Sequence, residues 1–207
     1  MPEIPSPKPR AHPKNIAGAS LVLKPARRSA TSLHCVEARG VPYAELGVTS
    51  NFSFLRGASH PDELVMRAAE LGYEGVAIAD WHTLAGVVRA HTALKNLRAE
   101  ATDTDAIPKL IVGARVVCRD VPDNEGRARS MCLYPTDRAS YARLSRLLTL
   151  GKRRAPKGEC HLTHADICEH ASGLLAVADA GSPEGLQSWL ATLREVFDDD
   201  RLSLGVS

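Results

Sequence analysis

With 207 residues and 44% hydrophobic side chains, the chain has the composition of one ordinary globular domain rather than of a disordered polymer. A net charge of +2 excludes a strong chain-wide attraction for nucleic acid, and 4% aromatics argue against a base-stacking platform. No apolar run is long enough for a membrane span, no apolar signal core precedes a cleavage site, and five irregularly spaced cysteines read as reduced thiols, so a cytoplasmic protein is expected.

Residues 1–41 read as a basic, Pro-rich leader. Pro2, Pro5, Pro7, Pro9, Pro13 and Pro25 alternate with Lys8, Arg10, Lys14, Lys24, Arg27 and Arg28, and only Ala19 to Leu23 is apolar. Such a segment buries too little to offset its ordering entropy. It is read as a disordered leader or as sequence ahead of the true start, in preference to a basic tether to DNA or a partner. The domain proper is expected over 42–207.

Tyr43 to Val48 is a short extended run, followed by a loop, Asn51 to Ser59, that carries Gly57. Pro61 suits a first helical position, and Leu64, Val65, Ala68, Ala69 and Leu71 recur at helical spacing up to Gly72. A strand is expected over Glu74 to Asp80 and a second helix from Thr83 to Arg98. Pro108 to Arg119 reads as a strand, Asp120 to Arg129 as a turn or hairpin connection and Ser130 to Tyr134 as a strand. Thr136 is placed to cap a helix over Asp137 to Leu150, and a basic loop follows from Gly151 to Gly158. Thr163 is placed to cap a short helix through His170. Leu174 to Val177 is a strand, Pro183 to Phe197 a helix with Trp189 and Leu193 inward, and Arg201 to Val206 a last strand. The alternation argues an α/β class with a largely parallel sheet. In such sheets ligand groups gather at the carboxyl ends of strands, here Val48-Thr49-Ser50 and Asp80-Trp81-His82.

Three long motifs, NFSFLRGASHPDELV, DWHTLAGVVRAH and LYPTDRASYARLSRLLTLGKRRAPKGECHL, carry a resemblance. The chain from Pro42 onward resembles the polymerase-and-histidinol-phosphatase (PHP) domain at the amino terminus of C-family bacterial DNA polymerases, most of all the accessory, error-prone member linked to damage-induced mutagenesis. The resemblance implies a distorted (β/α)7 barrel. The alternation stops before such a barrel closes and no polymerase palm follows, so the chain is expected to be a fragment, or the product of a broken or mispredicted gene. The partners implied are the rest of the polymerase, DNA, the mutagenesis complex and the sliding clamp; no membrane is implied.

An active PHP domain holds a metal cluster on His, Asp, Glu and Cys side chains, and the metals activate water against a phosphoester. The positions that match its signatures here are degenerate. His-x-His corresponds to Gly47 and Thr49, Asp-His to Asp80-Trp81, Gly-x-Glu to Gly113-Ala114-Arg115 and a later His to Ser130, and the strand that usually ends in Gly-Cys ends here in Val177-Ala178-Asp179. One carboxylate without an imidazole does not hold a cluster, and Arg115 repels one. The expectation is no metal cofactor, no catalytic residue and no phosphoester hydrolysis, with Arg115 either paired to Asp80 or pointing to solvent. The competing reading is a free-standing metal-dependent phosphoesterase or exonuclease, which the identities of Gly47, Thr49, Trp81 and Arg115 disfavour. Whether the fragment is itself an enzyme is left open, although the family is a nucleotidyltransferase.

The sequence holds three further constellations. Cys160, His161, His164, Cys168 and His170 are soft ligands crowded into one span, but their spacing fits none of the usual zinc patterns; His164 and Cys168 lie four apart on one helical face. Lys152, Arg153, Arg154 and Lys157 form a basic run able to meet a DNA phosphate backbone or the polymerase body. Ser50, His82 and Asp80 have the residue types of a nucleophile set but no elbow motif. A small DNA-binding module is a third reading, disfavoured by the modest net charge and few aromatics.

Overall fold

The computed structural model describes residues 42–101, 107–123, 125–198 and 200–205; the expected leader, residues 1–41, lies outside them. The chain enters through β1 (Ala44–Val48) and the loop to α1 (Pro61–Glu70), whose first turn is set by Pro61 and by Glu63, whose side chain accepts the His60 backbone N–H at 2.9 Å. β2 (Gly75–Trp81) is buried almost throughout, as its continuous apolar run requires of a strand covered on both faces. α2 (Ala85–Glu100) leads to β3 (Lys109–Pro122), which runs three residues past the expected end at Arg119. A turn closed by Asp123, which accepts the Glu125 and Arg127 backbone N–H groups, returns the chain as β4 (Ala128–Pro135).

α3 runs from Arg138 to Arg154. Its cap is Asp137, which accepts the Ser140 N–H at 2.7 Å; Thr136, expected in that role, donates to the Gly173 carbonyl instead. The helix also takes in Gly151 to Arg154, so half of the expected basic loop is helix. It continues because Gly151 lies against Cys160 and Leu162, where only a residue without Cβ fits. α4 (His164–His170) starts at Thr163 and Asp166 in a capping box, β5 (Leu174–Asp179) follows, and α5 (Leu186–Arg194) is shorter at both ends than the expected Pro183 to Phe197. β6 (Leu202–Gly205) is the last strand described.

All six strands form one sheet in chain order, β1 to β6. The pairings β1–β2, β2–β3 and β5–β6 are parallel, whereas β3–β4 and β4–β5 are antiparallel. The sheet is therefore mixed rather than largely parallel. The Asp123 turn is a tight hairpin, which can join only antiparallel strands. All five helices cover one face. Val76 and Ile78 pack with Val65, Ala90 and Leu94 of α1 and α2; Val116, Met131 and Leu133 pack with Leu144, Leu147, Ile167, Trp189 and Leu193 of α3, α4 and α5.

The opposite face carries a smaller apolar cluster, Ala77, Ala79, Cys132 and Tyr134. From β4, the Tyr134 hydroxyl donates to the Leu46 carbonyl on β1 at 2.6 Å. Two strands lie between them, and adjacent strands are about 4.8 Å apart. A flat sheet would put β1 out of reach of a tyrosine. The bond therefore requires a strongly curled sheet with this face concave and the helices on the convex side, a partial barrel wall.

Candidate functional site

Register decides which side chains meet on the concave face. Trp81 pairs with Arg115, Arg115 with Cys132 and Cys132 with Val177; two residues along, Val117 pairs with Ser130 and Ser130 lies beside Asp179. Alternation along each strand then places Trp81, Arg115, Ser130, Cys132 and Asp179 on one face. Arg115 makes a salt bridge to Asp179, and the Ser130 hydroxyl donates to the same carboxylate oxygen at 2.5 Å. Both charged side chains are mostly buried, 18% and 25% exposed. Burial works against the Arg115 charge, but Cys132 and Asp179 outweigh it and its pKa is raised. Gly47 lies beside this group, a Cβ on it standing 3.7 Å from an Arg115 guanidinium nitrogen.

Asp80 takes no part. It pairs in register with Ala114, one step from Arg115, and so points to the helix side. It is 1% exposed and accepts three hydrogen bonds, from the Ser50 N–H, the Ser50 hydroxyl and the Ser53 hydroxyl, each at 2.7 Å. Ser53 accepts in turn from the Trp81 N–H at 2.9 Å. Asp80 is thus the clasp of the β1–α1 loop. The expected Arg115–Asp80 pair is not formed, because neighbouring positions of adjacent strands alternate faces; Asp179, from β5, is the partner.

These residues do not fit a metal cluster. The concave face offers the Asp179 carboxylate, already neutralised by a guanidinium, the Ser130 hydroxyl and an indole; the Glu45 carboxylate beside Gly47 is taken up by the Tyr43 hydroxyl and the Gly47 N–H, and the Tyr134 hydroxyl by the Leu46 carbonyl. Divalent cations require several free oxygen or imidazole donors. Burial raises the pKa of the Cys132 thiol against the lowering field of Arg115, which removes it as a ready thiolate ligand.

The crowded Cys and His span does not converge either. Cys160 is buried beneath α3, and His161 meets Glu159 at 2.9 Å. His170 pairs with the Asp166 carbonyl, and only His164 and Cys168 approach, with Sγ 3.4 Å from Nδ1. No group of three or more His, Cys, Asp or Glu side chains among the described residues is arranged to hold a metal. The Ser50–His82–Asp80 set is also not assembled. Ser50 meets Asp80, but His82 turns away on a left-handed backbone (φ 54°) and its Nε2 accepts the Val117 N–H at 3.2 Å.

At the carboxyl end of β2 and β3 a groove of about 980 Å³ opens between the β1–α1 loop and the end of α3. Phe52, Phe54 and Arg56 form one bank, Lys152 and Lys157 the other, and Trp81, His82 and Arg119 contribute to its lining. The Arg56 guanidinium lies 3.7 Å from the Trp81 ring centroid, and Arg115 lies 5.5 Å from the same ring. His82 is driven down to about 4, first by burial and then by Lys152, Arg119 and Arg56. Of the basic run read from the sequence, only Lys152 and Lys157 reach the groove. Arg154 is held by Asp166 at 2.6 Å, and Arg153 lies outside the lining. The sequence reading missed Phe52, Phe54, Arg56 and Arg119; the one available signal was the alternation of aromatic and basic residues in NFSFLR.

A curled sheet clad by helices on its convex face, with the candidate site at strand ends, defines an α/β barrel-type domain. The PHP domain profile matches residues 45–202, and the chain belongs to the PHP domain family. Error-prone DNA polymerases are its homologues. The one from Ruegeria pomeroyi is 46% identical over 164 residues, 66% of this chain and 14% of that protein. Those from Rhodopirellula baltica and Rhodopseudomonas palustris strain BisA53 are 49% and 53% identical, over 67% and 60% of this chain and 11% and 10% of theirs. The chain thus spans a seventh or less of the length of these relatives. Among solved structures, a proposed metal-dependent phosphoesterase from Bifidobacterium adolescentis shares the fold, with a TM-score of 0.52 and 16% identity over 74% of this chain and 75% of that one. No helix among the described residues is long and apolar enough to cross a membrane.

Proposed function

We propose that this chain is the amino-terminal PHP portion of an error-prone DNA polymerase acting in damage-induced translesion synthesis and repair in the cytoplasm. In that role it is a metal-free, non-catalytic domain that supports the polymerase body and docks partners of the mutagenic complex. The observation that carries the metal-free reading is the Arg115–Asp179 salt bridge. A fixed guanidinium stands on the concave face at the position matching a ligand carboxylate, and it neutralises the Asp179 carboxylate on that face. A cation brought to this point meets like charge and finds no imidazole and no unengaged carboxylate among the described residues there. The alternative, a free-standing phosphoesterase, needs imidazole and carboxylate donors where Gly47, Thr49, Trp81 and Arg115 stand.

The test is elemental analysis after mild dialysis, together with nitrophenyl-phosphate hydrolysis and primer extension in added manganese. The expected result is no stoichiometric zinc or manganese and no activity that copurifies with the protein. Bound metal at stoichiometric level, or hydrolysis of constant specific activity through two orthogonal purification steps, overturns the reading.

A further inference from the structure

The groove beside the concave site uses residues for which the metal question has no bearing. Arg56, Arg119, Lys152 and Lys157 converge on it, and the one carboxylate in its lining is Glu159. Glu159 is shared by Arg119 at 3.0 Å and His161 at 2.9 Å. None of the ion pairs found among the described residues engages Arg56, Lys152 or Lys157. A chain with a net charge of only +2 therefore concentrates free positive charge in one concavity, where low-dielectric walls focus the field.

Its rim is apolar in an unusual way. Phe54 is 85% exposed and the adjoining Leu55 90%, and Phe52 is also exposed. The loop that presents them is not loosely held. Asp80 clasps it from within, and Gly57 passes so close to the Ser50 carbonyl that a Cβ would lie 2.2 Å from that oxygen. Holding an aromatic ring in water on a braced loop costs free energy that contact with a second flat apolar surface would recover.

We propose that this groove binds single-stranded nucleic acid. The phosphates follow Lys157, Lys152, Arg119 and Arg56, and an unstacked base lies on Phe54 with Phe52 beside it. A cationic track flanked by exposed rings is the arrangement that sequence-tolerant single-strand binding uses. A duplex satisfies only the charged half, because its bases are already stacked. An acidic peptide likewise leaves Phe54 without a flat partner. Trp81 is not a stacking surface, since Arg56 covers its ring; it is a reporter at the base of the groove. The proposal stands whether or not the concave face binds metal.

The experiment is fluorescence anisotropy of a labelled oligothymidylate against the whole chain over a range of salt, with Trp81 emission as a second readout. Each phosphate contact contributes about −0.7 to the slope of log K on log salt for a single strand. The wild-type slope is expected at roughly −2 to −3, and Lys152→Glu with Lys157→Glu should cut it by about 1.4 and weaken low-salt binding at least tenfold. Phe54→Ala should weaken single-strand binding by roughly fivefold to a hundredfold and leave any duplex binding unchanged. Charge reversal at Lys95 and Arg98, exposed on α2, should change little. All of these side chains are exposed, and thermal melting confirms that each variant is folded. Absence of low-salt binding, an equal loss from the α2 reversals, or indifference to Phe54→Ala overturns the proposal. Competition by polyglutamate as effective as by unlabelled oligothymidylate also overturns it, in favour of an acidic protein partner.

Discussion

Asp80 and Arg115 occupy neighbouring positions of adjacent strands yet face opposite sides of the sheet. One braces a loop; the other holds Asp179. Arg115→Ala leaves Asp179 with only the Ser130 hydroxyl. Because both partners keep some contact with water, the expected cost is about 1–3 kcal/mol, below that of a fully buried pair. Urea denaturation checks it, and an unchanged midpoint would mean that the pair is ornamental. Arg115→Glu, in contrast, sets a second carboxylate beside Asp179 on the concave face. This variant is expected to show a larger manganese-dependent rise in melting temperature than the wild type; an equal rise in both would show that Arg115 does not repel a cation there. His82 is the other residue with a reportable consequence. Its folded pKa, about 4, lies below its ordinary value of 6.5, so the unfolded chain binds the proton first as pH falls. Its contribution is fully present above about pH 6.5 and is lost progressively down to about pH 4, on the order of 3 kcal/mol. His82→Asn tolerates the left-handed backbone and should flatten stability against pH across that window. A slope identical to wild type would show that other groups carry it.

At the scale of elements, the curl of the sheet rests on a close approach between β3 and β4. A Cβ on Gly113 would lie 2.6 Å from the Tyr134 ring, so the tyrosine lies flat over the glycine and reaches β1. Gly113→Ala pushes the ring off this track and strains the bond to Leu46. A loss of roughly 1–3 kcal/mol is expected, the usual cost of overpacking. With Tyr134→Leu already in place, the same substitution should cost far less, since the ring it strikes is gone. Additive losses in that double-mutant cycle would sink the explanation. The end of α3 shows the same logic at a helix. Gly151 against Cys160 and Leu162 lets the helix run on to Arg154, which delivers Lys152 to the groove and Arg154 to Asp166.

For the molecule as a whole, the sheet is protected unevenly. Val76 to Ala79 are at most 1% exposed and hydrogen-bond to strands on both sides, while β6 pairs only with β5 among the described residues. Amide exchange should therefore be slowest in β2, near the global unfolding limit, and faster in β6 by roughly a factor of ten or more. Equal protection in the two strands would show that the edge opens only with the whole domain. Phe54 and the cations around it lie at the carboxyl ends of the central strands, where binding to an α/β sheet is expected.

All eleven elements found among the described residues were legible in the sequence, because helical and strand periods are local properties. The positions Gly47, Thr49, Trp81 and Arg115 were singled out only through the family resemblance. The helix ends were less so: Asp137 rather than Thr136 caps α3, a choice between neighbours that packing makes. Strand direction after β3, the partner of Arg115 and the membership of the groove were decided only in three dimensions. Arg115 and Asp179 are 64 positions apart, and the groove draws Phe54, Trp81, Arg119 and Lys157 from separate segments. Which side chains meet there depends on register and on the curl of the sheet. Both are set by long-range pairing, such as that of Tyr134 with Leu46, and not by any spacing along the chain.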